Sequence, residues 1–327
     1  MPDRDLFKAK LDEMGVHASE SLGQHFLIED SYINTLASHV VRGATVVEIG
    51  SGPGNLTEAL ASKAGHVVGI EIDKKFQPFL EEVQRQHKNV QIVYGDALKT
   101  NLSRFKPLLG EMQIVASLPF HITEPFLEQL TSLPIEGATL ILGDEVTHEV
   151  QQTPDSLNFG KLSLLAQTFF DINIAASIPR QAFFPQPRTD ANIVNFHTKS
   201  KKEISRSRSN AIFARLFRTA RKNSPIINEI KQAVVDFGTG GTTLGKQEFH
   251  QKNRSTVRRE LKAMLQTGDY TGNSQHSKRD GVVLSQSHAL DLIGRMGLPE
   301  DLLRRPFSTL DNQDIRQLTT AVRAHFG

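Results

Sequence analysis

Residues 46–57, V-V-E-I-G-S-G-P-G-N-L-T, constrain the fold more than any other stretch of the chain. The apolar run 45–49 reads as a strand buried on both faces. Gly50, Gly52 and Gly54 follow at alternate positions, ahead of a helical segment, 55–63. A strand that turns at once into a helix needs positive φ or close backbone approach, and glycine accepts both at low cost. Strand, turn and helix form the first unit of a doubly wound α/β sheet, whose ligands bind outside the carboxyl ends of the strands. The dinucleotide pattern G-x-G-x-x-G would need a glycine at position 55, where this chain has Asn55. An acid, Glu71, ends the next apolar run, 66–71. It stands about 20 residues past the glycines, a spacing that suits ribose hydroxyls. The plainer alternative is a turn with no ligand.

The rest of the sheet can be followed along the chain. Residues 1–20 read as a mobile tail with one short charged helix, and 21–27 as a loop. A helix over 28–41 carries Ile28, Ile33, Leu36, Ala37 and Val40 on one stripe. A helix over 74–86 and strands over 90–94, 112–116, 138–142, 172–178 and 191–197 complete a seven-stranded sheet with one antiparallel strand. Asp96, in G-D-A at the end of the third strand, suits an adenine amino group, or else caps an ordinary turn. The basic linker 199–209 marks a domain boundary, and five helices are expected beyond it, over 210–222, 225–237, 254–265, 287–296 and 312–325. Residues 266–286, poor in apolar side chains, read as a flexible loop. The organisation expected is a tail (1–20), a ligand-binding α/β domain (21–198) and a basic helical domain (199–327).

Composition narrows the function. The 327 residues include no cysteine, which excludes disulfides and cysteine-ligated metal, and the 12 histidines lack metal-site spacing. No apolar run reaches the length of a membrane span. Residues 1–13 mix both charge signs and lack an apolar leader core, so a cytoplasmic protein is expected. The net charge of +2 hides an asymmetry. Residues 1–198 hold 15 Lys and Arg against 24 Asp and Glu, net −9; residues 199–327 hold 23 against 12, net +11. The basic half is either a solvated surface or the seat of a polyanionic partner.

A further stretch, S-L-P-F-H-I-T-E-P at 117–125, follows the fourth strand. Pro119 and Pro125 stiffen it, Thr123 is placed to cap a helix over 124–130, and Phe120 offers a stacking face. Its plainer reading is a strand-to-helix loop with a buried Phe.

Taken together, these segments resemble the KsgA-type ribosomal RNA adenine N6-dimethyltransferases. That family also takes in the mitochondrial transcription factor B proteins and, more distantly, the erythromycin-resistance methylases. The similar segments are S-L-G-Q-H-F-L (21–27), V-E-I-G-S-G-P-G-N-L-T (47–57), I-E-I-D (70–73), G-D-A-L (95–98), 117–125, F-G-K-L-S-L-L-A-Q (159–167) and A-F-F-P-Q-P-R-T-D-A-N-I-V (182–194). L-F-R-T-A-R-K-N (216–223) and R-P-F-S-T-L-D-N-Q-D-I-R-Q-L (305–318) are similar to the family's C-terminal pieces. The order and spacing of the segments carry the resemblance.

It implies a class I S-adenosylmethionine-dependent methyltransferase domain, Rossmann-like, with a smaller helical C-terminal domain. The cofactor would lie against Gln24, His25, Leu27, Glu48, Gly50, Gly52, Gly54, Glu71, Ile72, Asp96, Ala97 and Ser117. The partner implied is ribosomal RNA or a small-subunit precursor, met by a monomer with no metal and no membrane. Adenine N6 is a poor nucleophile, because its lone pair is delocalised into the ring. Two acceptors on its hydrogens would favour a more tetrahedral nitrogen and aim the lone pair at the methyl group. The family's N-L-P-Y/F pattern assigns these roles to position 117, the Leu118 carbonyl and, beyond Pro119, the aromatic Phe120, which stacks on the flipped base. Phe183 would close the base into a sandwich. No general base is required.

Position 117 departs from the pattern, being Ser rather than Asn, and His121 replaces the more usual Asn. Three outcomes are open: an active enzyme with Ser117 or a bridging water as acceptor, one that stops at monomethylation, and a cofactor-binding protein without turnover. From other classes, the chain could be a silent RNA- or DNA-binding assembly or transcription factor, or a resistance methylase acting on large-subunit RNA. Arg215, Arg218, Arg221 and Lys222 flank an apolar helix stripe and are candidates to grip phosphates. Residues 240–246, G-G-T-T-L-G-K, satisfy G-x-x-x-x-G-K, but Gln247 replaces the magnesium-holding hydroxyl, so the segment reads as a plain glycine-rich loop.

Overall fold

A computed structural model describes residues 4–13, 15–107, 111–219, 224–238 and 286–326. Its contacts divide the chain into two compact units, residues 1–200 and 201–327.

In the first unit the β-branched runs become the strands that periodicity predicts. They are β2 (Thr45–Ile49), β3 (His66–Glu71), β4 (Val90–Tyr94), β5 (Met112–Ser117), β6 (Gly137–Gly143), β7 (Phe170–Ile178) and β9 (Ala191–Thr198); a two-residue pair, β1 (Phe26–Leu27) and β8 (Phe183–Phe184), stands apart. The seven-stranded sheet has the order β4-β3-β2-β5-β6-β9-β7. All its pairings are parallel except those of β9, which runs antiparallel to β6 and β7. Val46, Val47, Val67 and Ile114 are wholly buried, as strands covered on both faces must be. Burial of each such side chain contributes roughly 1.5–3 kcal/mol.

The strand order reverses between β2 and β5, where Ile49 stands beside Ala116 in parallel register. This is the switch point, and the chain leaves it on one side through Gly50 and on the other through Ser117. A Cβ built on Gly50 would meet only the Ser117 carbonyl, at 3.8 Å. Sheets of this kind bind ligands outside the strand ends at such a switch point.

The helices are α1 (Arg4–Glu13), α2 (Asp30–Ser38), α3 (Asn55–Ala61), α4 (Gln77–Gln86), α5 (Phe120–Leu130), α6 (Asp144–Gln151) and α7 (Lys161–Phe169). Three of them correct the sequence reading. Residues 4–13 and 15–20 are not a free tail: α1 is followed by a turn, and Leu11 and Val16 are buried with Phe76, Phe79 and Leu80, while Phe7 packs on the same cluster. The stripe Phe7–Leu11 is a single i, i+4 step, too short to stand out among charges. The segment 74–86 divides into a 3-10 turn, Lys74–Phe76, and α4, with a proline at its start. α5 begins at Phe120, not at Glu124, and Pro125 lies inside it. The Thr123 hydroxyl caps nothing; it donates back to the Pro119 carbonyl at 3.3 Å.

The segment 21–27, expected as a loop, meets residues 183–184 as a strand pair. β1 and β8 pair antiparallel, Phe26 with Phe184 and Leu27 with Phe183.

The second unit is helical among its described residues. Lys201–Arg206, Arg208–Thr219, Ile226–Gly238, Gln286–Arg295 and Asn312–Phe326 are joined by a short helix, Glu300–Arg304, that carries too few periodic positions to be read from sequence. Part of the expected linker is thus helix, with Ile204 buried at 4% exposure. Phe213, Ile226, Ile230, Ile315 and Val322 fill the core, and Phe217 meets Phe307 edge-on at 5.1 Å. The helix expected over 254–265, the glycine-rich segment 240–246, Arg221 and Lys222 lie outside the described residues, as does the loop 266–286 but for Gln286.

Candidate active site

The turn after β2 is built on left-handed backbone. Gly50 has φ +77° and Gly52 φ +51°, conformations that cost a side-chain-bearing residue about 1–2 kcal/mol. Gly52 also lies so close beneath the Phe26 ring that a Cβ there would be 3.1 Å from two ring carbons.

Two buried carboxylates hold this turn. Glu48 is 1% exposed, and its Oε2 accepts hydrogen bonds from the Ser51 hydroxyl (2.8 Å) and the Thr57 hydroxyl (2.6 Å). Its Oε1 is buried without a hydrogen-bond partner among the described residues. Burial pushes the carboxyl up to about 7, against the opposite pull of the two hydroxyls. Glu71, 4% exposed, accepts from the Gly52 N–H and the Asp73 N–H, both at 2.7 Å. Burial raises its pKa too, and those N–H groups offset part of the rise. The acid expected to face a ribose therefore also ties the end of β3 to the glycine turn. Ile72, next to it, is 54% exposed, unusual for a large aliphatic side chain beside a buried acid.

Asp96 does the work of a turn cap. Its carboxylate accepts from the Leu98 N–H at 2.9 Å and pairs with Lys99 at 3.1 Å. Ala97 is buried, and its carbonyl accepts from the Gln129 amide at 3.2 Å.

Across the switch point, Ser117 ends β5, level with Ile141 of β6. Its hydroxyl makes no hydrogen bond among the described residues. Leu118 is buried and donates its N–H to the Ile141 carbonyl at 3.3 Å. Pro119 introduces α5, and its carbonyl accepts from the Ile122 N–H at 3.2 Å. The side chains of Phe120 and His121 lie outside the described residues. Phe183, expected to sandwich a base, is 2% exposed and packs in the main core with Leu27, Ile33 and Leu36. In this conformation its ring is a core element, and stacking on a base would need it uncovered.

One short strap touches several parts of the site. Gly23 lies against Pro119, where a Cβ would come to 2.9 Å of the proline Cβ. The Gln24 amide donates to Asp73 at 3.1 Å and accepts from the Ser19 N–H at 2.7 Å. His25 Nδ1 lies 2.8 Å from the Pro185 carbonyl; a carbonyl only accepts, so Nδ1 carries the proton and, in the neutral ring, Nε2 is left as an acceptor. Phe26 covers Gly52 and meets Phe76 edge-on at 5.3 Å. The Leu27 carbonyl accepts from the Asn55 amide at 3.3 Å. Sequence reasoning marked Gln24, His25 and Leu27 singly; it missed that five consecutive residues bind the glycine turn, the end of β3, the 117–119 loop and β8 together. It also missed the ion pair of Lys161 with Glu124, 2.9 Å, which links the F-G-K-L segment to α5. Among the described residues no cluster of three or more acids or histidines could hold a metal, and no helix is long and apolar enough to cross a membrane.

A seven-stranded sheet reversing at β2 and β5, a glycine turn after β2 and a buried acid ending β3 define a class I S-adenosylmethionine-dependent methyltransferase. The cradle fits that cofactor: a Cβ built on Gly50 would meet only the Ser117 carbonyl, at 3.8 Å, and the buried Glu48 Oε1 lacks a partner among the described residues. The family model for ribosomal RNA adenine dimethylase matches residues 15–263, and the chain belongs to that family. It is 33% identical over 203 residues to the ribosomal RNA small subunit methyltransferase A of Listeria monocytogenes, covering 59% of this chain and 68% of that protein. It is 32% identical over 256 residues to the protein of that name from Clostridioides difficile, covering 71% and 88%. The crystal structure of a dimethyladenosine transferase from Plasmodium falciparum is similar in fold, with a TM-score of 0.51 at 18% identity, covering 91% of this chain and 98% of that one.

Proposed function

We propose that this chain transfers methyl groups from S-adenosylmethionine to the N6 of adenosine in ribosomal RNA, near the 3′ end of the small-subunit RNA. One observation carries the reading: the glycine turn and the 117–119 loop leave the same switch point, so close that a Cβ built on Gly50 would lie 3.8 Å from the Ser117 carbonyl. A methyl donor seated on the first lies within reach of a base held by the second.

When bound, the sulfonium of the cofactor supplies an electrophilic methyl group. The chain's own residues do the rest. Glu71 keeps lone pairs for ribose hydroxyls beyond its two backbone bonds, and the exposed Ile72 offers an apolar face to the adenine ring. Gln24, His25 and Leu27 close the amino-acid end, with Glu48 behind the turn. Asp96 is tied up in its turn, and we assign it the adenine amino group only through lone pairs left on its carboxylate. Ser117 Oγ and the Leu118 carbonyl accept the two N6 hydrogens of the target base, and Phe120 stacks on its ring. The lone pair of N6 then points along the line of displacement, an orientation effect together with electrostatic stabilisation. The methylated nitrogen is acidic enough to lose its proton to water.

The reading carries with it a cytoplasmic monomer that meets ribosomal RNA or a small-subunit precursor. A second reading, a silent RNA- or DNA-binding factor, is favoured by one observation, the serine at 117 with its shorter reach. Transfer of labelled methyl from the cofactor to small-subunit ribosomal RNA, mapped to adenosine, separates the two. Label at adenosine N6 supports the enzyme; cofactor uptake without any label in RNA supports the silent factor. Label confined to large-subunit RNA would instead mark a resistance-type methylase.

A further inference from the structure

The first helix of the chain, α1, reaches the strap that lies over the glycine turn. Its sequence is mostly charged, and Phe7 and Leu11, one turn apart, carry it onto the body of the first unit. Leu11 is buried in the cluster of Phe76, Phe79 and Leu80. Gly15, at φ +64°, follows the helix in left-handed backbone, and the Val16 N–H donates to the Leu11 carbonyl at 2.9 Å, which turns Val16 back into the same cluster. Phe7 reaches further. Its ring lies 6.2 Å from that of Phe26 and 5.9 Å from that of Phe184, both within the range of attractive aromatic contact.

Those two rings are partners across the β1–β8 pair. The pair forms a sheet of its own, with two residues in each strand, and so short a ladder does not hold its geometry unaided. It needs side chains laid over it. Phe76 supplies one from the 3-10 turn, edge-on to Phe26 at 5.3 Å, and Phe7 supplies another from α1. Phe26 in turn lies against Gly52, where a Cβ would come to 3.1 Å of two of its ring carbons. Contact thus runs from α1 through Phe26 to the middle glycine of the turn. The chain between α1 and β1 also anchors the strap: the Ser19 N–H donates to Gln24 at 2.7 Å, and the Gln24 amide donates to Asp73 at 3.1 Å.

We infer that Phe7 is a positioning residue for the cofactor: α1 clamps the strap onto the glycine turn and so slows departure of the bound donor. The inference rests on the strap closing the amino-acid end of the donor, as proposed above, but its test needs no RNA. A clamp acts on the dissociation rate, whereas a gate would speed entry and exit alike. Surface plasmon resonance of S-adenosylhomocysteine on immobilised full-length protein separates the two rates. Phe7→Ala should raise the dissociation rate about tenfold and leave the association rate within about twofold of the parent. Phe7→Leu keeps much of the apolar volume and should raise dissociation only about threefold; it carries the test alone if the alanine variant does not fold. Val90→Ala is the control. It empties a buried position at the end of β4 away from the site, and should lower the urea midpoint with both rates as in the parent. An unchanged dissociation rate in the folded Phe7 variants, an equal rise in both rates, or the same rise in Val90→Ala would overturn the inference and leave the proposed function standing. A folded parent protein that takes up no S-adenosylhomocysteine would overturn both.

Discussion

At position 117 a hydroxyl stands where the family's acceptor is an amide, and the difference is one of reach. A misplacement of about 1 Å at a reacting centre costs on the order of 100-fold in rate. Ser117→Asn should therefore raise methyl transfer to RNA by about 10- to 100-fold while leaving cofactor uptake as it is. Unchanged or lower transfer, measured with labelled cofactor, would mean that this site is already fitted to serine. Glu48 makes a different prediction, on stability. Its carboxyl titrates near 7 in the folded chain against an ordinary 4.5. The folded state thus holds the proton more tightly, and the stability this gives is present below about pH 4.5 and is lost as the pH rises through 7. The loss is on the order of 3 kcal/mol. Glu48→Gln, which cannot ionise, should flatten the decline in urea midpoint between pH 4.5 and 7, and an unaltered decline would show that Glu48 is not its source. Of the residues singled out from sequence, the glycines form the left-handed turn and Glu71 ends the next strand as their spacing suggests. The burial of Phe183 was not legible in the sequence, since Phe183 and Phe184 are the same residue type and only the pairing of β8 decides which one faces the core.

The element that most repays attention is the strap, Gly23 to Leu27. Two-residue strands have no periodicity to detect, so β1 and β8 stayed hidden while every strand of five or more residues in the main sheet was readable as an apolar run. α5 shows a similar limit: Pro125 suggested a later start, yet a proline inside the second turn removes only one backbone hydrogen bond, and the helix continues through it. Because Phe26 seals Gly52 and Gly23 lies on Pro119, the strap links the glycine turn to the 117–119 loop. Phe26→Ala should weaken S-adenosylhomocysteine binding by about tenfold with far-ultraviolet circular dichroism unchanged, a cost of about 1.4 kcal/mol. Full-strength binding in that variant would reduce the strap to a scaffold. Lys161→Ala should lower RNA methylation by several-fold through α5, leaving cofactor affinity alone; a fall in cofactor affinity instead would place its effect elsewhere.

The whole molecule joins an acidic unit carrying the switch-point crevice to a basic helical unit, and the charge split by itself left open whether the second met a polyanion or water. The fold class was readable because each level agreed: buried parallel strands, a glycine turn and an acid at the next strand end. The second unit was less so, since helical stripes identify helices without saying how they pack. Methyl transfer by this chain requires the switch point outside β2 and β5 to accept a sulfonium methyl donor. Isothermal calorimetry of the purified chain against S-adenosylhomocysteine tests this most directly. Saturable uptake of one molecule per chain, abolished or sharply weakened by Gly52→Ala, is the result expected; a folded protein that takes up none would contradict it.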